Sequence, residues 1–276
     1  MGCGVMGSGI IQLCAANGIP VRVLGLNPQR LDRGLAAVKR RLARDAKRGR
    51  IPQERYDAGV SGLMGTTDLQ DLAGCDLVIE AASEDIAIKR ELFAQLGAAC
   101  QPEAILATNT SSLSVSALAA ASGRPERVIG LHFFNPPAVL RLVEVIITDA
   151  TSSATIDVAM AFCEGLDRTV VRVKDTPGFI VNRLLVPFIF EAIRLVESGT
   201  AIAGHVDEAC RAGLGHTMGP LATADLVGLD TVVQIGDSMY EESGDPSLKV
   251  PTLLRRMVSL GNLGRKSGKG FFEYAR

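Results

Sequence analysis

Up to about residue 174 the chain alternates short runs of Val, Ile and Leu with longer stretches of helical periodicity. That alternation restricts it to β-α-β units built around a parallel sheet. The expected strands are residues 21–26, 76–80, 104–108, 128–131, 142–147 and 169–173, with helices filling the gaps. After the turn Asp175, Thr176, Pro177, Gly178 the strand signals fade, and helical patterns run over 178–198, 205–213, 221–241 and 250–259. Residues 263–272, rich in Gly, Lys and Arg, are expected to form an irregular closing segment. The 276 residues thus divide into an α/β domain, 1–174, and an all-helical domain, 175–276, each long enough to bury its own core.

Charge and cysteine usage narrow the class. Lys and Arg number 29 against 30 Asp and Glu, a net charge of -1. Near neutrality argues against nucleic acid or an anionic membrane as the main partner. The most apolar long stretch, 178–196, carries Asn182, Arg183, Pro187, Glu191 and Arg194, too many polar groups for a bilayer span. The first residues lack the charged start and apolar middle of a secretory signal, so a cytoplasmic protein is expected. Cys3, Cys14, Cys75, Cys100, Cys163 and Cys210 lie far apart, with neither C-x-x-C pairs nor zinc-type spacing. They are expected to be reduced, mostly buried thiols, and no metal is expected. Locally, residues 30–55 hold ten Lys or Arg against Asp32, Asp45 and Glu54, a stripe that is either a solvated helix face or a dock for a phosphate-bearing ligand.

The start of the chain spells G-x-G-x-x-G in Gly2, Cys3, Gly4, Val5, Met6 and Gly7, followed by a helical run and then a strand. In a dinucleotide site the first glycine makes the tight turn, the second admits the pyrophosphate, and the third lets helix pack on strand. The fold expected from this is a Rossmann-type doubly wound parallel sheet followed by the helical domain. No strand precedes the motif, although that strand is central in such a sheet, and the expectation is that the natural chain starts upstream of Met1. A second departure follows the next strand. The acid that grips the ribose hydroxyls would stand near position 25, where Gly25, Leu26 and Asn27 are found. NAD is the expected cofactor, with NADP left open: Asn27 can reach a ribose hydroxyl, and Arg22 or Arg30 can meet a 2′-phosphate.

Of three histidines, His205 and His216 have no carboxylate beside them in an apolar run. His132 opens His132-Phe133-Phe134-Asn135-Pro136 at a strand exit, where open α/β sheets place their chemistry. Glu144 sits inside the apolar run 142–147, where an unpaired carboxylate is costly. Pairing the two fixes the imidazole tautomer and favours its protonated form, which suits a general base acting on an alcohol. Asn109, Thr110, Ser111 and Ser112 follow another strand and offer hydroxyl and amide groups at the same sheet edge.

Residues 2–9, 76–84, 107–113, 132–136, 142–146, 177–184, 218–221 and 264–270, taken together and in order, resemble the L-3-hydroxyacyl-CoA dehydrogenase family over essentially the whole chain. The resemblance implies an NAD-binding domain, a helical domain that builds a homodimer, and a short-chain (3-hydroxybutyryl-CoA-type) acyl-CoA substrate. It implies that His132 is the base, Glu144 its electrostatic partner, and Ser111 and Asn182 the groups that hydrogen-bond the substrate's 3-oxygen. Gly2, Gly4, Val5, Met6, Gly7, Glu84, Lys89, Asn109, Asn135 and Lys266 fall at cofactor positions. Arg44, Lys47 and Arg48 fall in the segment near the CoA phosphates. Two other readings compete: a dehydrogenase of a non-CoA hydroxy acid of gulonate or carnitine type, and a non-catalytic, crystallin-like cofactor-binding protein.

Overall fold

The structure, a computed structural model, describes residues 1–275. The chain divides into two compact units, Met1–Asp175 and a second that begins at Thr176.

In the first unit α1 (Val5–Ala16), β1 (Val21–Leu24), α2 (Pro28–Lys47), α3 (Gln53–Ser61) and β2 (Leu63–Thr66) precede β3 (Leu77–Glu80) and α4 (Ile86–Ala99). Then come β4 (Ile105–Thr108), α5 (Val115–Ala121), β5 (Val128–Phe133), β6 (Leu142–Ile147), α6 (Ser153–Gly165) and β7 (Thr169–Lys174). β1 and β2 form a two-stranded parallel sheet, and β3-β4-β5-β6-β7 a five-stranded one. The parallel expectation holds except between β5 and β6, which run antiparallel. Residues 134–141 are too short a link for the crossover that a parallel neighbour requires. β2 was not foreseen, because its Leu-Met-Gly-Thr is short, half exposed and lacks Val or Ile.

Two apolar clusters hold this unit together. One packs Ile129, Leu131, Phe133, Val143 and Val145 of β5 and β6 against α1 and α6. The other gathers Ile11, Ala15, Val23, Leu31, Val38 and Leu42 from α1, β1 and α2. Helix α2 shows why the basic stretch folds as it does. Asn27 caps it, accepting from the Arg30 N–H at 2.9 Å, and Pro28 takes the first helical position, where its missing N–H costs nothing. Leu31, Val38 and Leu42 face inward at helical spacing while most of the cations face solvent.

Met1 and Gly2 lie on the line between the two sheets and bond to both. The Met1 ammonium donates to the Ile79 carbonyl at 2.6 Å, the Ala81 N–H donates to the Met1 carbonyl at 3.0 Å, and the Gly2 N–H donates to the Leu24 carbonyl at 3.0 Å. Behind them a cavity of about 570 Å³ separates β1 from β3, lined by apolar groups such as Ile10, Ile11, Val23 and Ile79.

The second unit contains α7 (Val181–Glu197), α8 (Ala203–Leu214), α9 (Pro220–Val227), α10 (Leu229–Ser243) and α11 (Thr252–Ser259) around Val186, Phe190, Ile193, Leu221, Leu229, Met239 and Leu254. The single helix expected over 221–241 is two, broken at Gly228, whose φ of 102° is open to glycine but not to an ordinary helical residue. Two buried carboxylates organise the unit. Asp207 accepts from the N–H groups of Leu221 and Ala222 at the start of α9, and Asp225 accepts from Phe271 N–H, Phe272 N–H and the Tyr274 hydroxyl. Asp225 thereby ties down the closing segment, which has a 3-10 turn at Arg265–Ser267 and isolated antiparallel bridges pairing Gly264 with Lys269 and Lys269 with Glu273. Among the described residues no helix is long and apolar enough to cross a membrane.

Candidate active site

The glycine turn is shaped by two close approaches. Gly2 has φ +90°, and a Cβ there would stand 2.7 Å from the Ala81 carbonyl oxygen. A Cβ on Gly7 would stand 2.1 Å from the Gly2 carbonyl oxygen, so α1 reaches the turn only because position 7 has no side chain. Gly4 is the N-cap of α1, and no side chain caps the helix. A Cβ on Gly4 would meet no protein atom within 4 Å, which places its missing side chain toward open space. That space is a groove of about 560 Å³ lined by Gly4, Val5, Ser8, Gly34, Arg41 and Asn135, among others. Of the two residues between Gly4 and Gly7, Val5 is exposed at the groove while Met6 packs on the core. A helix start without a side-chain cap, opening on a groove that approaches backbone closely, fits a dinucleotide pyrophosphate. Gly7→Ala is expected to weaken NADH binding by about tenfold or more, measured by titration, because α1 must shift off the turn.

The paired strands β5 and β6 put His132 directly opposite Glu144 in register. Their side chains share a face as a cross-strand pair. His132 Nδ1 lies 2.7 Å from Glu144 Oε2, with the residues 4% and 1% exposed. With Nδ1 carrying the proton toward the carboxylate, Nε2 holds the lone pair and is the basic atom. The Phe134 ring lies against the imidazole, centroids 4.5 Å apart. Because His132 stands one residue before the end of β5 and Asn135 lines the groove beside Gly4 and Val5, the imidazole and the glycine turn stand at one edge of the sheet.

The neighbouring loops are held by a polar network. Asn109 Oδ1 accepts from the Phe133 N–H at 3.0 Å, so this side chain braces the end of β5 next to His132. Glu84 Oε1 accepts from the Ser111 N–H at 2.8 Å and from the Thr110 hydroxyl, fixing the loop that carries Ser111. Lys89 is 1% exposed and donates to Glu80 Oε1 at 2.7 Å and Oε2 at 2.8 Å, with Glu84 Oε2 at 3.2 Å. Glu80, 0% exposed, also accepts from the Thr108 hydroxyl at 2.7 Å and from the Ala82 N–H. Sequence reasoning missed Glu80. The signal was there, since it closes the apolar Leu77-Val78-Ile79 run just as Glu144 sits in its own.

The remaining candidates stand on other elements. Arg44, Lys47 and Arg48 are exposed near the C-terminal end of α2. Asn182, 8% exposed, is in the first turn of α7, and Lys266 donates to Asp230 at 2.6 Å, both within the second unit. All six cysteines are free thiols, with Cys14, Cys100 and Cys163 buried. Burial pushes the Cys14 and Cys163 thiols up to about 12, so both stay protonated and unreactive at neutral pH.

Residues 1–176 match the family model described as 3-hydroxyacyl-CoA dehydrogenase, NAD binding domain, and residues 178–274 match that described as 3-hydroxyacyl-CoA dehydrogenase, C-terminal domain. A probable 3-hydroxybutyryl-CoA dehydrogenase of Bacillus subtilis is 44% identical over 273 residues, covering 99% of this chain and 95% of that protein. The crystal structure of M. tuberculosis FadB2 is similar with a TM-score of 0.95 at 46% identity, over 99% of this chain and 97% of that one. The structure of (S)-3-hydroxybutyryl-CoA dehydrogenase PaaH1 from Ralstonia eutropha is similar with a TM-score of 0.94 at 38% identity, over 100% and 97% of the two chains.

Proposed function

The chain belongs to the 3-hydroxyacyl-CoA dehydrogenase family, and on that premise we propose that it catalyses reversible hydride transfer between C3 of a short-chain L-3-hydroxyacyl-CoA and C4 of a nicotinamide cofactor. Its first unit is an NAD(H)-binding domain. The observation that carries the reading is the buried His132–Glu144 pair, in cross-strand register at the sheet edge that also bears the glycine cradle.

When bound, NAD supplies the hydride acceptor at its nicotinamide ring. His132 Nε2 accepts the proton of the substrate hydroxyl in the oxidation direction and returns it in the reduction direction. Glu144 stabilises the imidazolium that forms and keeps the ring in the productive tautomer. Ser111, whose loop is fixed by Glu84, is proposed to hydrogen-bond the 3-oxygen as it becomes a carbonyl. Asn182, on the second unit, carries the same proposal on its motif alone. The buried Lys89–Glu80–Glu84 network is proposed to position the β3–α4 turn and the Ser111 loop rather than to touch substrate. Arg44, Lys47 and Arg48 are proposed to meet the CoA phosphates, where guanidinium and ammonium groups bind oxyanions well. We propose a homodimer through the helical unit, supported by the large apolar groups it exposes, Leu184, Ile202, Leu214 and Leu226 among them.

The deciding assay is NADH consumption with acetoacetyl-CoA, run beside free acetoacetate. Rapid loss of NADH with the thioester alone is the expected result. Equal rates with the free acid would point to a non-CoA hydroxy acid, and no consumption with either would overturn catalysis of this kind.

A further inference from the structure

Resting on the nucleotide reading of the groove, we infer that its ribose corner accepts a 2′-phosphate, so that NADP(H) binds nearly as well as NAD(H), with Arg30 as the cation that meets the phosphate. The Gly2 N–H donates to the Leu24 carbonyl, so the end of β1 lies beside the glycine turn. In a dinucleotide fold this end carries the acid that accepts the ribose hydroxyls and, by its charge, rejects a phosphate there. Here the residue is Gly25, followed by Leu26, which is 94% exposed, and Asn27, whose Oδ1 is engaged in capping α2. No acid stands in the first turn of α2.

Packing has settled around the glycine. A Cβ at position 25 would stand 3.2 Å from Leu31 Cβ, so an acid there needs Leu31 to give way. The cation is placed by helix geometry. Gly34, Ala37 and Arg41 of α2 line the groove opposite Cys3 and Gly4. The spacing of four, three and four residues puts Arg30 on that same face, one turn earlier. Long helical side chains lean toward the helix N-terminus, which carries the Arg30 guanidinium toward the Gly25–Asn27 loop. The nearby Asp32, two positions on, lies on the far side of the helix. Arg22, the other cation of this region, is engaged elsewhere, its Nη1 donating to the Asp71 carbonyl at 2.6 Å. A guanidinium pairs with phosphate through two parallel hydrogen bonds, which a ribose hydroxyl cannot offer.

The test is direct binding of NADH and NADPH to the purified protein without substrate, followed by nucleotide fluorescence, with 2′,5′-ADP and 5′-ADP as competitors. The expected result is a Kd for NADPH within about tenfold of that for NADH, and tighter competition by 2′,5′-ADP than by 5′-ADP. Arg30→Gln, an exposed change that leaves the core alone, is expected to weaken NADPH about tenfold relative to NADH, and Gly25→Asp to do the same or more. NADPH weaker than NADH by about a hundredfold in the parent chain, or an Arg30→Gln variant that leaves the ratio unmoved, overturns the inference while the NAD(H) reading stands. Failure of both nucleotides to bind overturns the reading of the groove itself.

Discussion

His132→Gln is expected to lower turnover about a thousandfold while leaving acetoacetyl-CoA binding nearly unchanged, the usual size of a lost general base. Glutamine fills much of the imidazole's space, and its amide can still donate to Glu144, so the buried carboxylate keeps a partner and the β5–β6 pairing keeps its register. What disappears is the ring nitrogen that accepts and returns the proton. Because the loss is made in the transition state, kcat falls and the binding term does not. Steady-state kinetics with acetoacetyl-CoA and NADH check this. A turnover within about tenfold of the parent would remove His132 from the mechanism.

The largest effect on stability is expected at Lys89, where replacement by Met should cost about 3–5 kcal/mol. The ammonium is 1% exposed and sits against both oxygens of Glu80, itself 0% exposed. Removing it strands a carboxylate away from water, and that uncompensated charge, rather than the loss of an attraction, sets the magnitude. The midpoint of thermal unfolding is expected to drop by about 10 °C. A second change separates this account from simple loss of packing: adding Glu80→Gln to Lys89→Met removes the stranded charge and is expected to recover much of the loss. If Lys89→Met costs less than about 1 kcal/mol in denaturant unfolding, the pair is not the keystone described here.

The two histidine and glutamate positions show how far a sequence can be read. Glu144 in an apolar strand demands a partner, and with three histidines in the chain His132 is the economical choice, so the pairing was legible. The device that joins them, an antiparallel register between adjacent strands, was not, because only the short connection 134–141 hints at the reversal. Glu80 obeys the same burial argument and went unread, since it closes its strand and looks like a turn residue. Asn109 was placed correctly at the sheet edge as a residue type, yet its side chain braces Phe133, a contact made across strands that local pattern cannot report. The unforeseen β2 and the break at Gly228 share one cause. Local propensity is weak there, and pairing with β1 or the demands of a positive φ decide the outcome.

The first unit is laced along a seam. Its two sheets meet at Met1 and Gly2, and the groove beside the glycine turn is walled by Gly34 on the β1–β2 side and Asn135 on the side of the larger sheet. A nucleotide lodged there, as proposed, would work as a rivet as well as a reactant, for it would grip both leaves at once. Thermodynamic linkage then raises the folded population with cofactor supply, by about 2.7 kcal/mol when the free nucleotide stands a hundredfold above its Kd. The midpoint of thermal unfolding is thereby expected to climb as NADH is added.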